Sequence, residues 1–371
     1  MKLSCTQENL NRGLTLVSHI TSSRSSLPIL THVLIKTDQG RLRLSATDLE
    51  IGINTWIGAK IEKEGGITIP GRILSEFISA NPDKTINLQV KEKNLNLQSD
   101  RYQANIKGVD VGEFPLIPEI KGKPEILVSS KLLEEAINQV VIAVALDESR
   151  PVLSGILLKI EEKTLKLVAT DSYRLAEKTL PLEEKSESKQ NIIIPAKTAF
   201  EVARILGTSS SENTKIVLAE NQVKFVLDSR VEVVSRLLEG SFPNYEQIIP
   251  HSYETKVILD LDQFTNAVKV AGFFARESAN NVKLKIDPKV DMVEILATAS
   301  QVGDNVSKTK GQIEGSKTEV AFNSKFILDC LSVVKSPKIS LELSGKLSPG
   351  VFRPQDSKNY LYIIMPLRTE E

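Results

Sequence analysis

Two aspartates are the first residues in this chain with the makings of chemistry. Each follows a threonine at the end of an apolar run: Leu44-Ser45-Ala46-Thr47-Asp48-Leu49-Glu50, and again Val168-Ala169-Thr170-Asp171-Ser172-Tyr173-Arg174-Leu175. A carboxylate held at a strand end could serve as a general base. An Asp leaving a strand also has a simpler use, accepting the backbone N–H groups of its own turn, and we read both as turn caps. Little else offers catalysis. His19, His32 and His251 are scattered, and Cys5 and Cys330 sit far apart in apolar surroundings. We find no glycine-rich phosphate loop, no Gly-X-Ser-X-Gly elbow and no His-Glu-X-X-His. Ligands so dispersed make no metal site. The expectation is two core thiols, no metal, no cofactor and no enzyme.

A second pattern concerns charge. Arg72, Lys197 and Lys325 each fall near the start of a helix-like segment. The helix dipole disfavours a cation there, so its recurrence hints at a polyanionic partner. Yet Lys+Arg and Asp+Glu both number 47, and the charges on the helix-like segments nearly cancel. That balance argues against a tight nucleic-acid binder, although net charge says nothing of how charge is distributed.

The elements that must position these residues repeat. The two Thr-Asp pairs lie 123 residues apart, and the same offset carries Leu27-Pro28-Ile29-Leu30 onto Arg150-Pro151-Val152-Leu153 and Leu10 onto Leu133. Self-similarity at a fixed period comes before any search for a fold. The first unit reads as a strand at 2–5, then a helix at 7–19 capped by Thr6 with Leu10, Leu14 and Val17 at helical spacing. Strand patterns follow at 33–35, 41–44, 56–57 and 67–69. Pro70-Gly71 opens a second helix, with Ile73, Leu74, Phe77 and Ile78 on one stripe, which stops at Asn81-Pro82. Strands at 85–90, 93–98 and 101–107 close the unit, and 114–124 reads as a linker. The second unit repeats this order from 125, with Ser129 or Ser130 capping a helix that carries Leu133, Ala136, Ile137, Val140 and Val144. Its second helix carries Ala199, Val202, Ala203 and Leu206. The third unit starts at 257 with Asp260 as cap, Phe264, Ala267, Val268 and Ala271 on one helix, and Ile327, Leu331 and Val334 on the other. Between them, Val320 to Lys325 reads as a turn. The fold class is α+β, with antiparallel sheets, and the domains run 1–120, 121–250 and 251–371. No apolar run of about 18 residues could span a bilayer, and the first residues lack the marks of a signal peptide. A soluble, cytoplasmic protein with no membrane partner is expected.

These residues together resemble a known family. Leu27-Pro28-Ile29-Leu30, Ala46-Thr47-Asp48-Leu49-Glu50, Val168-Ala169-Thr170-Asp171 with Arg174-Leu175, Phe242-Pro243-Asn244-Tyr245 and Met365-Pro366-Leu367-Arg368 are similar to the bacterial DNA polymerase III beta subunit, the DNA sliding clamp. The similarity runs from Met1 to Arg368. It implies three clamp domains per chain and a head-to-tail homodimer forming a six-domain ring. Sheets would lie outside and two helices per domain inside, with double-stranded DNA threaded through regardless of sequence. It also implies partners held by a short linear motif: the DNA polymerase III alpha subunit, the clamp loader and other clamp-binding proteins. The alternative is a repeat-built peptide-binding scaffold that does not encircle DNA.

Carried over residue by residue, the resemblance implies a peptide pocket of Leu153, Thr170, Ser172, Tyr173, Arg174, Leu175, Pro243, Gln247, Ile248, Ile363, Met365, Pro366, Leu367 and Arg368, rimmed by Asn323, Phe326, Leu347 and Pro349. The apolar members would seat the Leu and Phe of a peptide, with Arg174 and Arg368 orienting it. DNA contacts are expected at Arg24 and Ser149, and at Arg72, Lys197 and Lys325. The dimer seam is expected to use the edge strand Arg101 to Lys107, through Arg101, Gln103, Ala104, Ile106 and Lys107, against Phe273, Phe274 and Asp304. The chain departs from its relatives in four places. Ser172-Tyr173 stands where Gly-His is usual, and Gln247 where Arg is common. Pro151-Val152 replaces an aromatic pair, so no base stacking is expected from that loop. The acidic cluster near 301–308 is thinned to Asp304 beside Lys308, so apolar contact should outweigh salt bridges at the seam.

Overall fold

The computed structural model describes residues 1–21, 27–120, 125–147, 149–186, 189–299, 301 and 303–368. These form six α-helices: α1 (Gln7–Ser18), α2 (Gly71–Ala80), α3 (Ser130–Val140), α4 (Ala196–Leu206), α5 (Leu261–Ala275) and α6 (Ser324–Val333). The chain divides into two compact units, Met1–Lys131 with Arg204–Leu237, and Leu132–Ala203 with Leu238–Glu371.

The first unit holds two antiparallel sheets. One has five strands, ordered Lys60–Lys63, Lys2–Thr6, Thr85–Lys91, Asn94–Gln98, Gln103–Lys107. The other has eight, ordered Glu125–Ser129, Asn213–Leu218, Gln222–Asp228, Val231–Arg236, Ile51–Ile57, Arg41–Thr47, His32–Asp38, Gly66–Pro70. First and second repeats are therefore joined by a strand pair, with Val231 opposite Thr55 and Ser235 opposite Ile51. The second unit is one twelve-stranded sheet from Gln190–Pro195 to Thr318–Asn323. At its middle Arg174–Pro181 pairs with Tyr360–Ile364, Leu175 opposite Ile363, which joins second and third repeats in the same way.

The helices form where the spacing expects them, except that α3 ends at Val140, short of Val144, where a separate turn at Val141–Ala143 takes over; the caps of α1 and α5 are visible. Thr6 accepts from the N–H of Asn9 at 3.3 Å, and Asp260 from that of Gln263 at 2.9 Å, each satisfying a backbone donor the helix leaves open. Leu10, Leu14 and Val17 are fully buried beneath α1; each contributes roughly 1.5–3 kcal/mol relative to exposure. α1 packs on α2 through Ser18 and Ser75, whose hydroxyls lie 2.9 Å apart. The stripe expected on α2 is narrower than the sequence suggests. Leu74 and Ile78 are buried, but Ile73 is 53% exposed.

Three further expectations need correction. The stretch Val320 to Lys325 is not a turn but a strand, Thr318–Asn323, ending in a helix cap. The strand written as Arg101 to Lys107 begins at Gln103, because Arg101 is drawn back to Asp83. The linker is also no free tether over its described part: Ile117 and Ile120 pack on Val217 and Val234 of the eight-stranded sheet. A Cβ on Gly52 would lie 2.9 Å from the Ile117 side chain, so only glycine leaves it room.

Candidate partner-binding site

The Thr-Asp pairs that opened the sequence build the same turn twice. At the second copy Asp171 Oδ1 accepts from the N–H groups of Tyr173 and Arg174, both at 2.9 Å. The Thr170 hydroxyl donates to the Arg174 carbonyl at 2.6 Å and accepts from the Ser172 N–H at 3.1 Å. At the first copy Asp48 Oδ1 accepts from Glu50 and Ile51, at 3.0 and 2.8 Å, and Thr47 bonds Ile51 and Leu49 likewise. Ser172 and Leu49 both have φ +78°. That left-handed backbone is where glycine is at ease, and here two non-glycine residues hold it.

Beyond the turn, side chains alternate across the sheet, and this separates two residues expected to act together. Leu175 shares one apolar cluster with Ile363, Val168, Leu157, Tyr245 and Val351, bordered by Val152, Leu238, Phe242 and Ile249. Arg174, one residue earlier, points to the opposite face, where α6 lies. It is 9% exposed, with Nε on Asp171 at 2.9 Å, Nη1 on Asp329 and its guanidinium 4.4 Å from the Phe326 ring centroid. Arg174 therefore turns its charge toward Asp171, Asp329 and Phe326 rather than toward the apolar cluster. It locks the turn to α6.

The guanidinium that is exposed at this turn belongs to a residue sequence reasoning passed over. Arg150 donates from Nη1 to the Ser172 hydroxyl at 2.7 Å and from Nη2 to the Asp171 carbonyl at 3.3 Å. The signal existed in the repeat itself, because Arg150 falls where the first unit has Leu27.

The remaining expected residues gather around the cluster to different degrees. Ile363 is buried within it, and the N–H of Met365 donates to the Tyr173 carbonyl at 2.8 Å. Leu367 is tied to Ala321 through its N–H, at 2.8 Å, while Pro366 is half-buried and Arg368 exposed. Leu153 is buried in the single turn Pro151–Leu153. Pro349 precedes Gly350, which pairs with Ile364, whereas Leu347 stands 77% exposed. Pro243, Gln247 and Ile248 are exposed on the segment whose Phe242, Tyr245 and Ile249 rest on the cluster. That segment covers a cavity of about 330 Å³ lined by Leu157, Lys159, Asn191, Ile193 and Pro243. Its anchor is Tyr245, whose hydroxyl donates to Glu177 at 2.7 Å. Burial, and then that carboxylate, raise the Tyr245 pKa, keeping the hydroxyl a donor. Asn323 caps α6, accepting from the Lys325 N–H at 2.9 Å.

The expected DNA contacts are less uniform. Arg72 pairs with Glu76 at 2.8 Å on the exposed face of α2, and such a pair is weak enough for a phosphate to displace. Lys197 and Lys325 are exposed at the first turns of α4 and α6. Ser149 is held by Asp147, and Arg24 lies outside the described residues. At the expected seam, Gln103–Lys107 is the end strand of its five-stranded sheet, exposed at Gln103, Asn105 and Lys107 and buried at Ile106. Arg101 is fixed beside it by Asp83, at 2.6 Å. In the other unit Gly303–Gly315 pairs along its first eight residues with Met292–Ala299 alone, among the described residues. Phe273 is 61% exposed, Phe274 half-buried, Asp304 exposed, and Lys308 is paired with Glu294 at 2.7 Å.

Among the described residues no group of three or more His, Cys, Asp or Glu could hold a metal ion, and no helix is long and apolar enough to cross a membrane. Cys5 and Cys330 are buried free thiols; burial pushes the Cys5 pKa up to about 12.

Against known proteins the whole length is matched. Models of the N-terminal, central and C-terminal domains of the DNA polymerase III beta subunit match residues 1–118, 127–244 and 246–368. The beta sliding clamp of Staphylococcus epidermidis is 33% identical over 358 residues, 94% of each chain, and that of Staphylococcus aureus 34% over the same span. The Bacillus subtilis DNA polymerase sliding clamp superposes with a TM-score of 0.94 at 30% identity, all of both chains covered. A Pseudomonas aeruginosa sliding clamp bound to griselimycin does so with 0.95 at 26% identity, again over both full chains.

Proposed function

The chain belongs to the DNA polymerase III beta subunit family, the bacterial sliding clamps, and from that membership we propose how its parts divide the work. It is a DNA sliding clamp, the non-catalytic processivity factor of a replicative polymerase. In our reading two copies close head to tail into a ring around duplex DNA, in the cytoplasm, and a clamp loader must open that ring.

The observation that carries ring closure is a pair of strand edges left open in one chain. An open edge invites another strand, and Gln103–Lys107 and the first eight residues of Gly303–Gly315 are two such edges on the first and last repeats. Pairing the first edge of one copy with the last of another uses up both. With Phe273 exposed and few charges free near Asp304, the seam would be held chiefly by backbone bonds and apolar contact.

Partners, the polymerase alpha subunit among them, would bind by a short peptide over the Leu175–Ile363 cluster. Thr170, Ser172 and Tyr173 form one side and Met365 to Arg368 another, with Leu153, Pro243, Gln247 and Ile248 around it and Leu347 and Pro349 on the rim. Arg150 would orient the peptide, and Arg174, Asn323 and Phe326 would hold the turn and α6 beneath. Lys197, Lys325, Arg72, Ser149 and Arg24 would give weak phosphate contacts that allow sliding.

Loading the protein onto nicked circular DNA with a clamp loader, then linearising the circle, tests this directly. Retention on the circle and loss after cutting is the expected result. Equal loss from both forms would leave a peptide-binding scaffold that encircles nothing.

A further inference from the structure

Away from that site, the first unit carries a larger groove of about 700 Å³ across one face of its eight-stranded sheet. Its floor is polar and charged. Arg43 lies between Lys36 and Trp56 on neighbouring strands, and Arg41 lies opposite Asp38. One wall is the segment 111–119, anchored by Ile117 but holding Leu116 out at 91% exposure. The acidic groups on the floor are committed. Asp38 accepts from the indole N–H of Trp56 at 2.8 Å and pairs with Arg43 at 3.6 Å, and Glu232 pairs with Lys224 at 3.7 Å. The cations are not all matched. Arg41 reaches only the Ser229 carbonyl, at 3.3 Å, and the Trp56 ring, at 5.5 Å, with no carboxylate partner among the described residues. Lys36 is exposed and also lacks one among them, and Arg43 Nε is buried with no acceptor.

A groove of this size with surplus donors and an exposed apolar rim fits a ligand bearing both carboxylates and apolar side chains. We infer that it is a second docking groove, for a short, extended, acidic peptide segment of a partner protein. A carboxylate of that peptide sits between Arg41 and Lys36, and a neighbouring apolar side chain covers Leu116. A nucleic-acid strand fits less well, because its evenly repeated phosphates exceed the two cations left unmatched and offer nothing apolar to Leu116, whereas a peptide can set one carboxylate beside one apolar side chain.

Trp56 is the one tryptophan of the chain and lies in the floor, so its emission reports on the groove. The full chain is titrated with a capped octapeptide alternating Glu and Leu, with its Lys-Leu counterpart and with a single-stranded octanucleotide. The expected result is a saturable change with the acidic peptide only. It should weaken at least tenfold in Arg41→Glu and less in Arg41→Gln, with the far-UV spectrum of both variants unchanged. Tyr173→Ala, at the proposed partner pocket, should leave it intact, so the two sites fail or stand separately. No saturable change, an equal response to the Lys-Leu peptide or the oligonucleotide, indifference to Arg41→Glu, or loss in Tyr173→Ala would each overturn the second groove.

Discussion

Arg174 sits one residue from the apolar cluster that holds Leu175 and faces away from it. A basic side chain beside a binding cluster looks like a ligand contact, but period-two alternation turns it away, where Asp171, Asp329 and Phe326 occupy it. Arg174→Lys should lower stability by about 2–3 kcal/mol, since a lysine cannot bridge two carboxylates and stack on a ring. Peptide affinity should fall as well, through the displaced turn. Asp329→Asn, which touches no apolar wall of the site, should reproduce part of both losses in calorimetry and peptide titration. Full peptide affinity in Asp329→Asn beside a large loss in Arg174→Lys would mean a direct contact after all. Ser172 makes the opposite case. Its φ of +78° is unfavourable for any side chain, so Ser172→Gly should gain roughly 1 kcal/mol in urea unfolding. The gain is limited by the lost bond from Arg150.

At the scale of elements, the tail is the part of the site with least to hold it. Past Ile364 it is tied by the bonds from Met365 to Tyr173 and from Leu367 to Ala321. Ending the chain at Ile364 should abolish partner-peptide binding, measured by anisotropy, and leave unfolding within about 1 kcal/mol of the full chain. Cutting two residues earlier should do far more damage, because Ile363 and Ile364 pair with both neighbouring strands. Much of this was legible in the sequence. The helices showed through their spacing, and Thr6, Asp260 and the two Asp turns through their chemistry. What stayed hidden depended on long-range pairing. The strands Arg174–Pro181, Val231–Arg236 and Gly350–Pro354 owe their places to partners far away in the chain. Arg101 leaves its strand for Asp83, and Arg174 changes face, for reasons that single-residue patterns cannot carry.

For the whole molecule, the proposal turns on topology rather than affinity, and the two make opposite demands on salt. A protein held to DNA by phosphate contacts loses affinity steeply as salt rises, with a log–log slope near −0.9 for each phosphate engaged. A closed ring on a circle has no such dependence until its seam opens. Retention on circular DNA should therefore survive about 1 M salt, where contacts by Arg72, Lys197 and Lys325 are screened. Neutralising all three should change retention little and loading more. The seam is then the point of failure. Phe273, 61% exposed in the single chain, would be covered there, so Phe273→Asp should shift the solution mass from twice 41.0 kDa toward a single chain at micromolar concentration. The same variant should slip from circular DNA as fast as from linear DNA, yet bind partner peptide normally, because the Leu175–Ile363 cluster lies within one chain. A Phe273→Asp protein that stays dimeric and stays on the circle would place the seam elsewhere.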